Sequence, residues 1–251
     1  MAATIPIRDS DLDFDNGTFD AQAFTAKALA DWHSLAGIID HSLLKPDATR
    51  QQIENLCNEA ARYHFASVMV TPIWADTAVG ALAGTGIPVG AAIGFPFGIS
   101  LVSTLRQETS ALIRLGVREI GMVLPIGQLK SGNHEAVQRS IHAVANVAHH
   151  HGVILKVNLE TCLLTMQEKL RASEIAIQAG ADFLNTATGF ASGGATPADV
   201  ALMRGVAGAR CGVKAAGRIR SVASVRALLE AGANRIGSSA SVQIVRELGA
   251  E

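Results

Sequence analysis

Two lysines and an aspartate are the side chains of this sequence best suited to chemistry. Lys156 and Asn158 stand two apart in the apolar run Ile154-Leu-Lys-Val-Asn158, with Glu160 continuing the row. In a strand, residues two apart share a face. An unpaired ammonium is costly to bury, so Lys156 requires a charged partner or a site. Lys214 ends a similar run in Cys-Gly-Val-Lys-Ala-Ala-Gly, Asp40 ends one in Ile-Ile-Asp-His-Ser, and Asn185 ends one in Phe-Leu-Asn-Thr-Ala-Thr-Gly. Lysines and an aspartate converging on one pocket suit carbonyl chemistry, because desolvation and a neighbouring like charge lower an amine's pKa. The plainer alternative is that Lys156, Asp40 and Glu160 form a structural ion-pair network.

Glycines and hydroxyls crowd the last third of the chain, in Thr186-Ala-Thr-Gly-Phe, Ser192-Gly-Gly-Ala-Thr196, Ala216-Gly-Arg-Ile-Arg220 and Gly237-Ser-Ser239. Backbone N–H groups at such turns bind phosphate. Thr188, Gly189, Gly217, Arg218, Gly237, Ser238 and Ser239 are therefore the expected anion-binding set. The alternative is that these are turns and helix caps, with Ser239 capping the final helix. His149, His150 and His151 precede Gly152 at the end of a helical pattern, where imidazoles favour the helix dipole and face solvent rather than a metal. Cys57, Cys162 and Cys211 are odd in number and lack a C-x-x-C spacing, giving neither a disulfide framework nor a zinc site. No metal or cofactor is expected. Trp32 and Trp74 read as packing residues.

Positioning these groups requires a scaffold, and the pattern supplies one. Short runs rich in Val and Ile fall at Ala36–Asp40, Ala66–Thr71, Val89–Ile93, Glu119–Leu124, Ile154–Leu159, Phe183–Asn185, Gly212–Lys214 and Arg235–Ile236. Helical patterns follow at 49–63, 73–83, 100–115, 133–150, 166–179, 197–207, 221–231 and 239–248. Eight strand–helix units predict a (β/α)8 TIM barrel, with the chemistry at the C-terminal ends of its strands. The 251 residues fit one such domain at 35–251, preceded by an extension at 1–34 with a single helix over Ala21–Trp32.

Composition narrows the function classes. Apolar residues make up 49% and charged residues 17%, enough for a large core. A net charge of −1 and 4% aromatics argue against nucleic acid as a partner. Thr77–Leu105 is uncharged and long enough to span a bilayer, but Gly84, Gly86, Pro88, Gly94, Pro96 and Gly98 break it. No membrane partner is expected. The N-terminus carries Arg8, Asp9, Asp11, Asp13 and Asp15 without an apolar run, so it is not read as a signal peptide, and a cytoplasmic location follows.

Several motifs together give a resemblance. Ile39-Asp-His-Ser-Leu-Leu-Lys-Pro-Asp-Ala-Thr49, Gly94-Phe-Pro-Phe-Gly98, Leu155-Lys-Val-Asn-Leu-Glu-Thr-Cys162, Ala181-Asp-Phe-Leu-Asn-Thr-Ala-Thr-Gly189 and Gly212-Val-Lys-Ala-Ala-Gly217 resemble deoxyribose-phosphate aldolase, in order over residues 36–249. The resemblance implies a class I aldolase without metal, often a homodimer. In that family a lysine forms a Schiff base with acetaldehyde, which adds to glyceraldehyde 3-phosphate to give 2-deoxyribose 5-phosphate. It also implies that Lys214, Lys156 and Asp40 match family positions, Lys214 being the lysine that lowers the nucleophile's pKa. Asn185 stands where the family has its Schiff-base lysine, in Lys-Thr-Ser-Thr-Gly, and Gly121 where the relay aspartate of Glu-Ile-Asp falls. Asn158 replaces an aliphatic residue, Met69 and Thr71 replace a common Cys and Asn, Arg218 the second glycine of a phosphate-binding pair, and Ala240 a phosphate-loop serine.

A carboxamide nitrogen is not a nucleophile, which leaves three readings. The imine has moved to Lys214 or Lys156. Alternatively, Asn185, Asn158 and Lys214 stabilise an enolate or oxyanion without a covalent bond, with Asp40 or Glu160 as base and Arg218 gripping an anion. The third is binding without catalysis. With Asn185 uncharged, Lys214 is expected to have lost its neighbouring ammonium, and its pKa to rise accordingly.

Overall fold

The computed structural model describes residues 14–15 and 18–251. Eight parallel strands close into a barrel: β1 (Ile39–Leu43), β2 (Ser67–Val70), β3 (Val89–Ile93), β4 (Glu119–Val123), β5 (Ile154–Asn158), β6 (Phe183–Asn185), β7 (Gly212–Ala216) and β8 (Arg235–Ser238). Each pairs with the next, and β8 returns to β1 in the register Ile236↔Ile39, Gly237↔Asp40. Outward residues such as Ile39, Val68, Ile120, Leu155, Leu184, Val213 and Ile236 are buried under the helices and form the main core. Both faces of a barrel strand are covered, so the inward face can carry polar groups only if they satisfy one another.

The helices begin where the sequence offers a cap. Thr49 and Gln52 form a capping box at α3 (Arg50–Tyr63), and Thr165 with Glu168 forms another at α8 (Met166–Gln178). α1 (Ala21–Ala28), α2 (Trp32–Ala36), α4 (Ala75–Ala81), α5 (Val102–Leu115), α6 (Ile126–Lys130), α7 (His134–His150), α9 (Pro197–Ala207), α10 (Val222–Glu230) and α11 (Ser241–Glu247) complete the set. The short α6, a 3₁₀ turn at Pro72–Trp74 and the hairpin of Phe14–Asp15 with Thr18–Phe19 were not legible in the pattern. α1 packs on α10, and the Arg204 guanidinium lies 4.2 Å from the Phe19 ring centroid. Among the described residues, no helix is long and apolar enough to cross a membrane.

Two expectations need correction. The expected single helix over 21–32 is two, because the chain turns at Leu29–Asp31 and Asp31 caps α2 by accepting the Ser34 N–H at 2.8 Å. The first strand runs over Ile39–Leu43 rather than Ala36–Asp40, because Leu35 and Ala36 are the buried face of α2 rather than the start of a strand. Asp40 therefore lies deep in the barrel, level with Ser67 and Gly237, instead of at the mouth.

Candidate active site

The floor of the barrel is an ion-pair network drawn from five strands. Asp40 Oδ2 receives Lys156 Nζ at 2.7 Å and Lys214 Nζ at 2.5 Å. Its Oδ1 accepts the Ser67 hydroxyl at 2.8 Å and faces Arg235 Nε at 3.3 Å. Glu119 takes Lys156 Nζ at 2.6 Å and Arg235 Nη2 at 3.2 Å. The Phe183 ring floors the cluster, 5.7 Å from both Lys156 Nζ and Arg235 Cζ. All of these residues are buried.

Charge neighbours set the proton affinities here. Burial alone would raise the Asp40 carboxyl, but Lys156, Lys214 and Arg235 outweigh it and hold the group well below the usual aspartate range. For Lys214, burial is the largest influence and lowers its pKa, and the Lys156 charge lowers it further against the pull of Asp40. The expectation that Lys214 lacks a neighbouring ammonium is thus wrong: Lys156 shares its carboxylate partner. The alternative network is also revised. It contains Lys156 and Asp40 but not Glu160, which instead accepts from the Thr188 N–H at 3.1 Å and the Thr188 hydroxyl at 2.5 Å, pinning the loop after β6.

Above the floor is a layer of amides and a thioether. Asn158 donates to the Met122 carbonyl at 3.2 Å and accepts from Asn185 Nδ2, while Asn185 Oδ1 is buried without a hydrogen-bond partner. The Met69 side chain lies across two glycines of neighbouring strands. A Cβ at Gly121 would meet Met69 Cε at 3.2 Å, and one at Gly90 would collide with its sulfur. Gly237 has a comparable role: a Cβ there would sit 2.7 Å from Lys214 Cε, so its glycine makes room for the lysine.

The mouth is formed by the loops after β1, β6, β7 and β8, around a cavity of about 360 Å³. Gly189, Gly194 and Gly217 pack backbone on backbone, with the Gly194 position 2.5 Å from the Gly217 carbonyl oxygen were it given a Cβ. Arg218 follows with φ of 63°, a left-handed conformation that favours glycine. Arg218, Ser239 and Gly189 are exposed at the rim. The Ser238 hydroxyl is engaged within the fold, donating to the Ile219 carbonyl at 2.8 Å and accepting the Ala240 N–H at 2.9 Å. Ser239 does not cap α11: the cap residue is Ala240, with no side-chain cap bond.

Lys214, Lys156, Asn185, Asn158, Thr188, Gly189, Gly217, Arg218, Gly237, Ser238 and Ser239 all line this cavity, while Asp40 lies beneath it. Sequence reasoning missed Glu119, Arg235 and Ser67 on the floor, and Lys45 and Arg220 at the rim. Glu119 and Arg235 each open an apolar strand beside another polar residue, Arg118 and Asn234, so the isolation that flags Lys156 does not single them out. Five cations and no carboxylate line the cavity among the described residues, which favours an anionic ligand. His149 pairs with Asp182 at 2.9 Å, outside the cavity.

A (β/α)8 barrel with buried amines and an anion-seeking rim at the C-terminal ends of its strands has the build of a carbonyl-handling lyase. Residues 35–240 match the family described as DeoC/LacD family aldolase, and the chain belongs to that family. It is 49% identical over 213 residues to the deoxyribose-phosphate aldolase of Geobacillus sp. (strain WCH70), covering 85% of this chain and 95% of the relative. Identity to the Listeria monocytogenes deoxyribose-phosphate aldolase is 48% over 212 residues, covering 84% and 95%. Among solved structures, the tetrameric deoxyribose phosphate aldolase of Aeropyrum pernix superposes with a TM-score of 0.84 at 29% identity, covering 91% of this chain and 96% of that one.

Proposed function

We propose that this protein performs aldol-type carbon–carbon lyase chemistry on a small phosphorylated sugar or aldehyde, with Lys214 supplying the amine. The observation that carries the reading is the contrast between the two cavity lysines. Lys156 is held between Asp40 and Glu119, whereas Lys214 has Asp40 as its carboxylate partner and burial lowers its pKa. The relatives' activity, cleavage of 2-deoxyribose 5-phosphate, supplies the reference substrate.

In the cleavage direction, Lys214 Nζ attacks the substrate carbonyl carbon and water leaves as the iminium forms. The β-hydroxyl loses its proton while the adjacent carbon–carbon bond breaks, its electron pair passing to the iminium to give an enamine and a new aldehyde. Protonation of the enamine carbon and hydrolysis of the imine then free the amine. No carboxylate faces the cavity among the described residues, so solvent water carries these protons. The rim loops and Arg218 hold the phosphate.

The test is reduction with borohydride in the presence of 2-deoxyribose 5-phosphate or acetaldehyde, followed by intact mass and peptide mapping. The expected result is an adduct on Lys214 that is absent in Lys214→Met. An adduct confined to Lys156, or none, overturns the assignment. Because the Lys214 amine is freed below the ordinary lysine pKa, labelling should rise with pH and level off below about pH 10.4.

One observation favours a second reading. In the buried Asn158–Asn185 pair, the unpartnered Asn185 Oδ1 is suited to accept from a substrate hydroxyl, and the second N–H of Asn185 Nδ2 to donate to a developing oxyanion, without a covalent bond. A ligand-induced thermal shift without any adduct, with product formed, supports that reading; a shift without product supports binding alone. A homodimer belongs to the same proposal, and light scattering in solution decides it.

A further inference from the structure

We infer that this cavity selects a ligand bearing a hydroxyl on the carbon next to its carbonyl, and that Asn185 is the residue that selects it. The inference rests on the reading of the cavity as a small-molecule carbonyl site and narrows its substrate class to 2-hydroxy rather than 2-deoxy sugar phosphates. It starts from the order of donors and acceptors in the amide layer. The Met122 backbone carbonyl can only accept, so Asn158 turns its Nδ2 toward it, at 3.2 Å. That leaves Asn158 Oδ1 facing β6, where it accepts from Asn185 Nδ2. The orientation of the Asn185 amide is thereby fixed, and its Oδ1 is a buried acceptor without a donor. Both residues are buried and both line the cavity. A buried carbonyl oxygen lacking a donor is unfavourable, and a ligand that supplies one relieves it.

Among the described residues, the charged groups lining the cavity are all cationic, which disfavours a ligand ammonium and leaves a hydroxyl as the donor. Strand register places that hydroxyl on the ligand. Asn185 pairs with Lys214 across β6 and β7, and paired strands run about 4.8 Å apart. A carbonyl carbon within bonding reach of Lys214 Nζ therefore has its neighbouring carbon beside Asn185. The phosphate end lies the other way, toward Arg218 and Arg220 at the rim. In a pentose phosphate the hydroxyl that meets Asn185 Oδ1 is thus the one at carbon 2. Cleavage of such a sugar between carbons 2 and 3 passes the electron pair of the broken bond to the iminium, as above. The products are glycolaldehyde, in place of acetaldehyde, and glyceraldehyde 3-phosphate, which together account for every atom of the sugar. Asn158 touches the amide rather than the hydroxyl and is a positioning residue.

Calorimetric titration of the unaltered protein with three open-chain alditol phosphates tests this. Ribitol 5-phosphate and arabinitol 5-phosphate carry the hydroxyl in its two configurations, and 2-deoxyribitol 5-phosphate lacks it. We expect one of the two hydroxylated probes to bind about tenfold or more tighter than the deoxy probe. Asn185→Leu should erase that advantage. Asn158→Leu, which frees the Asn185 amide to turn, should reduce it severalfold while leaving the affinity of the deoxy probe unchanged. Equal affinity for all three probes, no binding of any, or an advantage that survives Asn185→Leu overturns the inference. The comparison on the unaltered protein decides the matter even where Asn185→Leu does not fold. An alditol has no carbonyl, so these titrations stand apart from borohydride trapping. An adduct on Lys214 together with equal probe affinities sinks the hydroxyl selection and keeps the amine, whereas a tenfold advantage without an adduct keeps the selection and sinks the amine.

Discussion

Lys156→Met removes one of two cations that bridge Asp40 and Glu119, leaving buried carboxylates short of a partner. Breaking a buried pair in this way costs about 3–5 kcal/mol, to be read as a lowered urea midpoint, and Lys214→Met, with its single carboxylate contact, should cost less. Asp40 also sets the acid limit. Its folded pKa lies well below its unfolded one, so its contribution is complete above the ordinary aspartate value and is lost as pH falls through the depressed one. Stability from this group should therefore persist down to about pH 4 and fall only below it, and Asp40→Asn should flatten that acid limb. Met69 bears on attempts to rebuild the family's machinery. Asn185→Lys with Gly121→Asp should gain little imine chemistry until Met69→Cys clears the space over residue 121, a comparison that borohydride labelling resolves. The floor was only half legible in the sequence. An ammonium isolated within Ile154-Leu-Lys-Val-Asn158 announces itself, whereas Glu119 and Arg235 stand at strand starts, next to Arg118 and Asn234, where a charge is unremarkable.

At the scale of elements, the loops after β6 and β7 work as one piece because three glycines let their backbones touch. Gly194→Ala would place a methyl 2.5 Å from the Gly217 carbonyl oxygen and 3.1 Å from Arg218 Cβ. We expect it to weaken phosphorylated ligands severalfold while moving the thermal midpoint little, since the contact joins two surface loops; an unchanged affinity would separate that junction from anion binding. Elements were the most readable level of the sequence. Val- and Ile-rich runs alternating with capped helical patterns fixed the order of the barrel, and strands β3 and β6 fall where expected. The first strand was displaced because Leu35, Ala36, Ile38 and Ile39 form a nearly continuous apolar run, although the chain passes from helix to strand inside it. That shift hid the depth of Asp40, and with it the distinction between floor and rim.

Over the whole molecule, the described residues before the barrel add contact to its outside, and their two short strands pair with each other rather than joining the barrel. α1 buries Phe24 and Ala28 against the body, and Arg204 covers Phe19. Removing residues 1–30 should leave the barrel folded, as judged by circular dichroism. Losing the burial of Phe24 costs about 1.5–3 kcal/mol, which for a domain of this size lowers the thermal midpoint by about 3–12 °C. A truncated chain that fails to fold would mean that the barrel requires its extension.

The rim that holds Lys45, Arg218 and Arg220, with no carboxylate among the cavity's lining residues, also has a kinetic consequence. A chain whose overall charge is only −1 nonetheless opens a positive funnel at one end of its barrel. An approaching dianion is turned and drawn inward before it makes any contact, and dissolved salt shortens the reach of that pull to about 8 Å at physiological ionic strength. Encounter should thus quicken in dilute buffer and slow steeply as salt is added, while departure, governed by contacts already made, hardly changes.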